Sequence, residues 1–209
     1  MKQILVMMAA VMLVGCSKDT PEPSPANEKL IADPIVEKAV RRELEKPEGE
    51  LTEADLKKIT GLDLTATQIT DAGLKEVAKL QKLEEFNLSE TQITDANLKD
   101  VAKLKNIESL NLSRTQITDA GLKEVAKLKK LKTLGLSGPE ITDEGLKDVA
   151  KLQQLKTLGL FRTQVTDTGL KDVAKLQKLE GLYLIGTKVT DAGVVELKKA
   201  LPNCTIVGP

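Results

Sequence analysis

The groups in this chain that could do acid–base chemistry are carboxylates, because its 209 residues include no histidine. Histidine is the commonest general base and the commonest zinc ligand, so its absence removes His-based triads and most zinc sites. Asp63, Glu85 and Glu90 lie near short apolar segments, but they are scattered and have no positioned partner. The sequence shows no metal-ligand cluster, nucleophile–base pair or phosphate loop. We therefore predict a protein without a catalytic or metal site that needs no cofactor.

The composition points to a core built from leucine. Hydrophobic residues make up 41% of the chain but aromatic residues only 1%, a balance typical of repeat proteins and coiled coils. Lys and Arg number 31 and Asp and Glu number 31, so the chain has no formal net charge. Nucleic-acid binding needs a basic surface, and this balance argues against a nucleic-acid partner.

A segment of 24 residues recurs from residue 59 onward. Each copy carries an alternating apolar pair, which is typical of a short strand with one buried face. The pairs are Leu62/Leu64, Phe86/Leu88, Leu110/Leu112, Leu134/Leu136, Leu158/Leu160 and Leu182/Leu184. The apolar spacing then changes to that of a helix, as in Leu74, Val77 and Ala78. We predict that an aspartate caps each helix by accepting from free backbone N–H groups; these are Asp71, Asp95, Asp119, Asp143, Asp167 and Asp191.

No single copy can bury both its strand face and its helix face, so the copies must stack into one continuous core. The pattern L-x-x-L-x-L-x-x-T-x-I-T-D-x-G-L resembles the leucine-rich repeat, close to its bacterial and cysteine-containing subtypes. This resemblance implies an α/β solenoid shaped like a horseshoe, with a parallel sheet on the concave face and short helices on the convex face. The family places Asn or Cys where this chain has a threonine, whose hydroxyl we expect to bond loop backbone. The threonines are Thr67, Thr91, Thr115, Thr163 and Thr187.

Other positions that follow the repeat are interpreted as structural. The fourth copy departs at Gly138-Pro139, where we predict a local kink because proline has no N–H and no hydroxyl. The recurring glycines are interpreted as turn or packing residues: Gly73, Gly121, Gly145 and Gly169. Charges form two rows along the helices: Lys75, Lys99, Lys123, Lys147 and Lys171 beside Glu76, Asp100, Glu124, Asp148 and Asp172. The rows are either a binding surface or, as we favour, a solvated face with opposite charges in adjacent rows.

The N-terminus has the features of a targeting segment. Residues 1–15, MKQILVMMAAVMLVG, have the basic start and short apolar run of a secretory signal peptide, too short to span a membrane. The run ends in Leu13-Val14-Gly15-Cys16, which resembles the bacterial lipobox. This resemblance implies cleavage before Cys16, which then carries diacylglycerol and an acyl chain such as palmitate. The alternative is a plain signal peptide followed by an incidental cysteine.

The remaining chain divides into three predicted regions. Residues 16–33 are Pro-rich and polar, which predicts a flexible tether. Residues 34–58 do not fit the repeat and resemble the N-terminal helical cap of internalin-like bacterial proteins. Residues 59–209 hold six repeats and end in a C-terminal cap, where Cys204 is expected to be a small buried residue. We expect the protein to be a monomer.

One apolar patch is predicted on the concave sheet. Residues next to the strand leucines point outward, which places Phe161 and Tyr183 on that face. Ile185 lies beside Phe161 on the next strand, Arg162 lies at the edge, and Gly159 leaves space for a ring. Exposed aromatic residues and arginine are typical anchors of protein-binding sites, so we predict that these four side chains bind a partner. The alternative is that they cover one another and bind nothing.

Together these features favour a membrane-anchored lipoprotein of the bacterial cell envelope. It would present its repeat surface to an unknown protein partner and would have no catalytic activity. Ser17 after the lipid site resembles an outer-membrane address, so the outer membrane is favoured over the inner one, on the periplasmic or outer surface. The alternative function is that of a structural or carbohydrate-binding envelope protein, in which aromatic rings stack on sugars.

Overall fold

A computed structural model of the chain describes residues 29–209. Residues 1–28 lie outside the described residues, and with them the predicted signal peptide, the predicted lipid site at Cys16 and most of the predicted tether.

The described chain alternates short strands with short helices. The strands are β1 Gly61–Asp63, β2 Glu85–Asn87, β3 Ser109–Asn111, β4 Thr133–Ser137, β5 Thr157–Phe161, β6 Gly181–Tyr183 and β7 Thr205–Val207. The helices are α1 Pro34–Glu43, α2 Glu53–Leu56, α3 Asp71–Val77, α4 Leu98–Val101, α5 Asp119–Val125, α6 Asp143–Val149, α7 Asp167–Val173 and α8 Asp191–Ala200. A 3-10 turn, Asp95–Asn97, precedes α4.

The strands form one parallel sheet in sequence order, from β1 to β7. Each strand pairs with the next at a shift of 24 residues, so that Leu62 lies beside Phe86 and Leu182 beside Ile206. Every turn of the solenoid, called a coil below, therefore repeats the same contacts. The predicted α/β solenoid with a parallel sheet and short helices is confirmed.

The leucine pairs form the core that the alternation predicts. Leu62, Leu64 and Phe86 are almost fully buried, and the buried residues run as one cluster from Ile31 to Cys204. Neighbouring strands pack about 4.8 Å apart, whereas packed helices need about 8–10 Å. The helix side of the stack is therefore wider, and the sheet lies on the concave face.

The helix α1 lies against the first coil, where it packs on β1 and α3. Asp33 begins the helix by accepting from the N–H groups of Ile35 and Val36 at 2.9 and 3.0 Å. The carboxylate of Glu76 in α3 accepts from the N–H of Ala32 and of Asp33, at 2.6 and 3.1 Å. These hydrogen bonds fasten the segment before the repeats to the first helix of the repeats, and Ile31 is buried in the core. The predicted end of the tether at residue 33 is therefore wrong, because residues 30–33 pack against the folded domain.

The prediction that aspartates cap the helices is wrong. The residue before α6 is Thr142, whose hydroxyl accepts from the N–H of Glu144, and Asp143 is the first helical residue. The same threonine donates its own N–H and hydroxyl to Asp119 of the preceding coil, at 2.9 and 2.6 Å. Five of the six aspartates therefore join neighbouring coils, namely Asp71, Asp95, Asp119, Asp143 and Asp167, whereas Asp191 has no such bond among residues 29–209.

Gly121, Gly145 and Gly169 make room for these aspartates, and Gly73 makes room for Ile69 and Asp33, which confirms their interpretation as packing residues. A Cβ added at Gly145 would collide with Asp119 Oδ1 and with Leu122. In the second coil the position holds Asn97, whose amide donates to Asp71 and whose Oδ1 accepts from Thr94 N–H at 2.8 Å. The Asn97 amide therefore bridges the two coils, which have no direct hydrogen bond between Asp71 and Thr94 among the described residues.

The threonine row acts as predicted, because its hydroxyls donate to the carbonyl three residues earlier. The bonds are Thr67 to Leu64, Thr91 to Leu88, Thr115 to Leu112, Thr163 to Leu160 and Thr187 to Leu184. At Pro139 the bond is missing among the described residues, and the preceding Gly138 has φ 115°, against 54° for Arg162 at the equivalent position. The departure is confined to the turn, since Ser137 still pairs with Phe161.

Candidate functional site

The concave face carries a groove of about 600 Å³ that runs across the sheet from β1 to β6. The side chains that line it are those that alternate with the buried leucines, because successive strand residues point to opposite faces. Its lining changes along the sheet: carboxylates at the β1 and β2 end, amides and hydroxyls in the middle, and aromatic rings at the β5 and β6 end.

The aromatic end brings together two of the four residues predicted to bind a partner. The rings of Phe161 and Tyr183 are stacked, with centroids 6.0 Å apart and an interplanar angle of 23°. Both line the groove, and 37% of Tyr183 is exposed. Gly159 provides the predicted space, and the ring that uses it belongs to Phe161, since an added Cβ would lie 2.9 Å from Phe161 Cε2.

The other two predicted residues lie beyond the rim of the groove. Ile185 is 50% exposed, and its carbonyl accepts from the N–H of Arg162 at 2.8 Å. Arg162 is exposed in the left-handed turn that follows β5, with φ 54°. The structure thus places the four residues side by side, but only the two aromatic rings face the groove.

The acidic end includes a residue that sequence reasoning missed. Glu43 is the last residue of α1, and its carboxylate lies over Gly61, 3.5 Å from the position of an added Cβ. Glu85 is the strand partner of Gly61, so two exposed carboxylates flank the same glycine. Glu43 could not be found from the repeat pattern, because it precedes the repeats and reaches the sheet through the packing of α1.

Asp63 is the third carboxylate at this end. Its Oδ1 accepts from the hydroxyl and the N–H of Thr65, at 2.6 and 2.9 Å, and Arg42 lies 4.0 Å from its Oδ2. These two hydrogen bonds and then the arginine charge hold the pKa of Asp63 below its usual value. Asp63 is therefore ionised and partly neutralised, whereas Glu43 and Glu85 have no cation within 4 Å among residues 29–209.

The middle of the groove is polar, and its two asparagine oxygens already accept hydrogen bonds within the chain. Asn87 Oδ1 accepts from the N–H and the hydroxyl of Ser89, at 3.1 and 2.8 Å. Asn111 Oδ1 accepts from the N–H of Ser113 at 3.1 Å and leans toward Gly135. These side-chain oxygens stabilise the turns after the strands, and the next two strands present only glycine there.

The described chain offers little for catalysis or for a metal. Among residues 29–209 no group of His, Cys, Asp or Glu side chains could hold a metal ion. Cys204 is buried as predicted, and burial raises the pKa of its thiol, which disfavours the nucleophilic thiolate. Within the same residues no helix is long and apolar enough to cross a membrane.

The charge rows on the convex face pair differently from the prediction. The acidic row bonds to lysines three residues later in the same coil, as in Glu124 with Lys127 at 2.7 Å and Asp172 with Lys175 at 2.6 Å. Opposite charges in the two adjacent rows are not the main pairs, because a side chain three residues along a helix lies closer than its immediate neighbour. The paired lysines are more than half exposed, so each pair contributes little to stability.

Comparisons with known proteins agree with this architecture. A family model described as a leucine-rich repeat matches residues 56–78, 103–126 and 127–150. Internalin C2 from Listeria monocytogenes is 23% identical with a TM-score of 0.57, over 86% of this chain and 94% of that one. A leucine-rich repeat protein from Leptospira interrogans is 26% identical with a TM-score of 0.56, over 74% of this chain.

The chain spans only 38% of the Leptospira protein that it resembles. No curated protein matches the sequence. The repeat matches and the two structural likenesses show that this chain has the leucine-rich repeat fold, which is consistent with a role in protein interaction.

Proposed function

We propose that this protein is a lipid-anchored, non-catalytic leucine-rich repeat protein of the bacterial cell envelope that binds a protein partner with its concave sheet. The observation that carries the proposal is the stacked pair Phe161 and Tyr183, which opens onto the groove. The chain has 3 aromatic residues, and two of them are in contact on the concave face. A binding role explains why such rare residues are clustered there.

The energetics favour a binding role for this pair. Tyr183 and Ile185 are 37% and 50% exposed, and the exposed strand residue Val207 continues the apolar surface beside Tyr183. Complete burial of an exposed large apolar side chain contributes about 1.5–3 kcal/mol, so covering the exposed third to half of such a side chain stabilises a complex by about 0.5–1.5 kcal/mol. Adjacent exposed apolar residues that share one concave face form a patch, and patches of this kind mark interaction surfaces.

The proposed anchor is the lipid on Cys16. Two or more acyl chains hold a protein on a membrane far more firmly than one, since each buried CH₂ contributes about 0.8 kcal/mol. Because Ile31 is buried in the core, the proposed Pro-rich tether is limited to residues 16–28 and would let the repeats stand as much as ~40 Å from the bilayer, at ~3.1 Å per residue. Both solved structures named above come from bacteria, which agrees with a bacterial lipobox.

A carbohydrate partner is the alternative, because a flat aromatic platform also stacks on sugar rings. The stacked rings of Phe161 and Tyr183 both line the groove, which is the observation that favours this alternative. A glycan array probed with the purified protein distinguishes it from protein binding.

The proposed interaction is tested by crosslinking in the native host. A photoreactive residue replaces Thr157, which lines the groove next to the aromatic pair. We expect one dominant protein adduct that disappears when Phe161→Ala and Tyr183→Ala are combined. The matched control is Val195→Ala, since Val195 is 56% exposed in α8 and lies outside the groove. An adduct pattern that is the same in both variants would contradict the proposal.

The anchor is tested separately by Cys16→Ala. We expect the wild-type chain to take up labelled palmitate and to fractionate with membranes, and the variant to do neither. Membrane fractionation that survives the substitution, without label in the wild type, would remove the lipid anchor while leaving the binding surface in place.

A further inference from the structure

The groove is polarised in charge along its length. The charged residues that line it are all acidic, namely Glu43, Asp63 and Glu85, and all three lie at the β1 and β2 end. Toward β5 and β6 the lining has no charged side chain within the described residues, and the stacked rings dominate. A ligand that fills the whole groove must therefore match a negative end and an apolar end.

The negative end is available to a ligand. Glu43 and Glu85 are exposed on either side of Gly61 and have no lysine or arginine within 4 Å in the described part of the chain. Asp63 is different, because Arg42 bonds to its carbonyl at 2.7 Å and lies near its carboxylate. One cation from Arg42 faces three carboxylates, so the local excess charge is negative.

The distance between the two ends sets the size of the ligand. Glu85 on β2 and Phe161 on β5 are three strands apart, which corresponds to about 14 Å across the sheet. Asp63 on β1 and Tyr183 on β6 are five strands apart, or about 24 Å. An extended polypeptide advances about 3.3 Å per residue, so four to seven residues, roughly, cover these distances.

We infer that the groove binds an extended segment of a partner protein that carries a lysine or arginine about four to seven residues from an aromatic or large aliphatic side chain. The cation pairs with Glu43 and Glu85, and the apolar side chain packs on Phe161 and Tyr183. This inference rests on the proposed function and adds the chemistry of the partner. The acidic end selects the partner's charge, since complementary charge steers association and disfavours acidic competitors.

A polypeptide explains the arrangement better than a sugar does. Sugar sites place amide or carboxylate groups next to the stacking ring, but the strand partner of Phe161 is Ser137 and its ring lies over Gly159, which pairs with Gly135. The oxygens of Asn87 and Asn111 already accept hydrogen bonds from their own turns. The free carboxylates lie at least three strands away, about 14 Å, which exceeds the reach of one sugar ring.

The test selects peptides with the full-length chain as bait. Random dodecapeptides displayed on phage are enriched on the wild-type protein, and a selected peptide is then measured by fluorescence anisotropy. We expect the enriched sequences to share a basic residue and an aromatic or large aliphatic residue at the stated spacing. Enrichment of acidic or uncharged peptides, or none above background, would overturn the inference.

Paired variants connect the selected peptide to the two ends of the groove. Combining Glu43→Gln with Glu85→Gln should weaken binding about fivefold to twentyfold and reduce its dependence on salt. Glu84→Gln is the control, because Glu84 is an exposed neighbour that does not line the groove. Phe161→Ala should weaken binding by about tenfold or more, and Val195→Ala should leave it unchanged.

The outcomes separate this inference from the proposed function. If the crosslinked partner depends on Phe161 and Tyr183 but binds equally well to the variant with Glu43→Gln and Glu85→Gln, the inference fails and the proposed function stands. If instead a glycan competes with the selected peptide and itself requires Phe161, both the polypeptide partner and the proposed function are wrong.

Discussion

Asp143 of one coil accepts two hydrogen bonds from Thr166 of the next, from the N–H at 2.8 Å and from the hydroxyl at 2.7 Å. The same pair of bonds joins Asp95 to Thr118, Asp119 to Thr142 and Asp167 to Thr190. Each threonine hydroxyl also accepts from its own helix, as Thr166 does from the N–H of Thr168 at 3.1 Å. A carboxylate in one coil therefore positions the helix start in the next, and the bonds repeat along the solenoid.

Removing one of these carboxylates should weaken the contact between two coils. We expect Asp143→Ala to lower the free energy of unfolding by about 1–3 kcal/mol, because Thr166 loses a charged acceptor. Asp191→Ala is the matched control, since Asp191 also begins a helix but its carboxylate has no hydrogen bond among residues 29–209. Urea unfolding followed by circular dichroism measures both variants. Equal losses would show that the effect belongs to the helix start and not to the contact between coils.

Gly145→Ala tests whether the glycine row exists for packing. Alanine is the better helix former by about 1 kcal/mol, so a solvent-exposed site would gain stability. Here the new Cβ would collide with Asp119 and Leu122, and we expect a loss of about 1–3 kcal/mol, as in other overpacked cores. Gly181→Ala is the control, because its added Cβ meets nothing closer than 3.8 Å. Thermal unfolding should separate the two, and a stabilised Gly145→Ala variant would contradict the packing argument.

The buried threonines should matter more than the half-buried ones. Thr91 is 2% exposed. Its hydroxyl donates the one hydrogen bond that the Leu88 carbonyl accepts within the described residues. The Leu184 carbonyl instead accepts from both the hydroxyl and the N–H of Thr187, at 2.8 and 3.0 Å.

We therefore expect Thr91→Val to cost about 1–3 kcal/mol, because a buried carbonyl is left unpaired. Thr187→Val should cost less, because the N–H bond remains and water can reach the site. The midpoints of denaturant unfolding, compared between variants with equal m-values, measure this difference in the free energy of unfolding. If Thr187→Val and Thr91→Val lower the free energy of unfolding equally, the hydroxyls do not stabilise the fold by bonding otherwise unpaired carbonyls.

Asp55 should make stability depend on acid pH. Its carboxylate contacts Lys46 at 2.8 Å, the hydroxyl and N–H of Thr52 at 2.9 and 3.1 Å, and Lys58 at 3.2 Å. The bond from Lys46 and then those from Thr52 hold the pKa of Asp55 well below its usual value. The folded protein thus binds fewer protons at this site than the unfolded chain, and stability rises with pH.

The stabilisation from Asp55 is fully present above the unfolded pKa, which is about 4, and is lost progressively as the pH falls below it. We expect Asp55→Asn to be less stable than the wild type at pH 7 and the difference to shrink toward pH 3. Glu48→Gln is the control, because Glu48 is exposed and outside the ion pairs of this segment. Urea unfolding midpoints of both proteins at four pH values measure this difference. If the difference in stability between Asp55→Asn and the wild type does not change with pH, ionisation of Asp55 is not linked to folding.

The core could be predicted from the sequence because every coil repeats the same contacts. Leu62, Phe86 and Leu110 occupy one position in successive strands, so the spacing that predicts one buried strand predicts them all. The exposure of Tyr183 and its nearness to Phe161 followed from the same alternation, because strand direction and repeat length together determine which side chains are neighbours. The apolar end of the groove was therefore predictable.

Contacts that cross from one coil to the next, or that enter from outside the repeat, could not be predicted in this way. Asp119 looked like a helix cap because Thr142, its actual partner, is 23 residues away in sequence. Glu43 belongs to no repeat, and only the packing of α1 against β1 brings its carboxylate to the sheet.

By itself the sequence determined the solenoid, its core and the face on which the aromatic residues lie, since these depend on periodicity within about one helical turn or one strand. The tertiary structure decided which carboxylates join coils, which ring occupies the space over Gly159, and that the groove has a negative end. The physical reason is range: side-chain hydrogen bonds and charge pairs act over a few ångströms in space, and sequence spacing does not report which groups are that close.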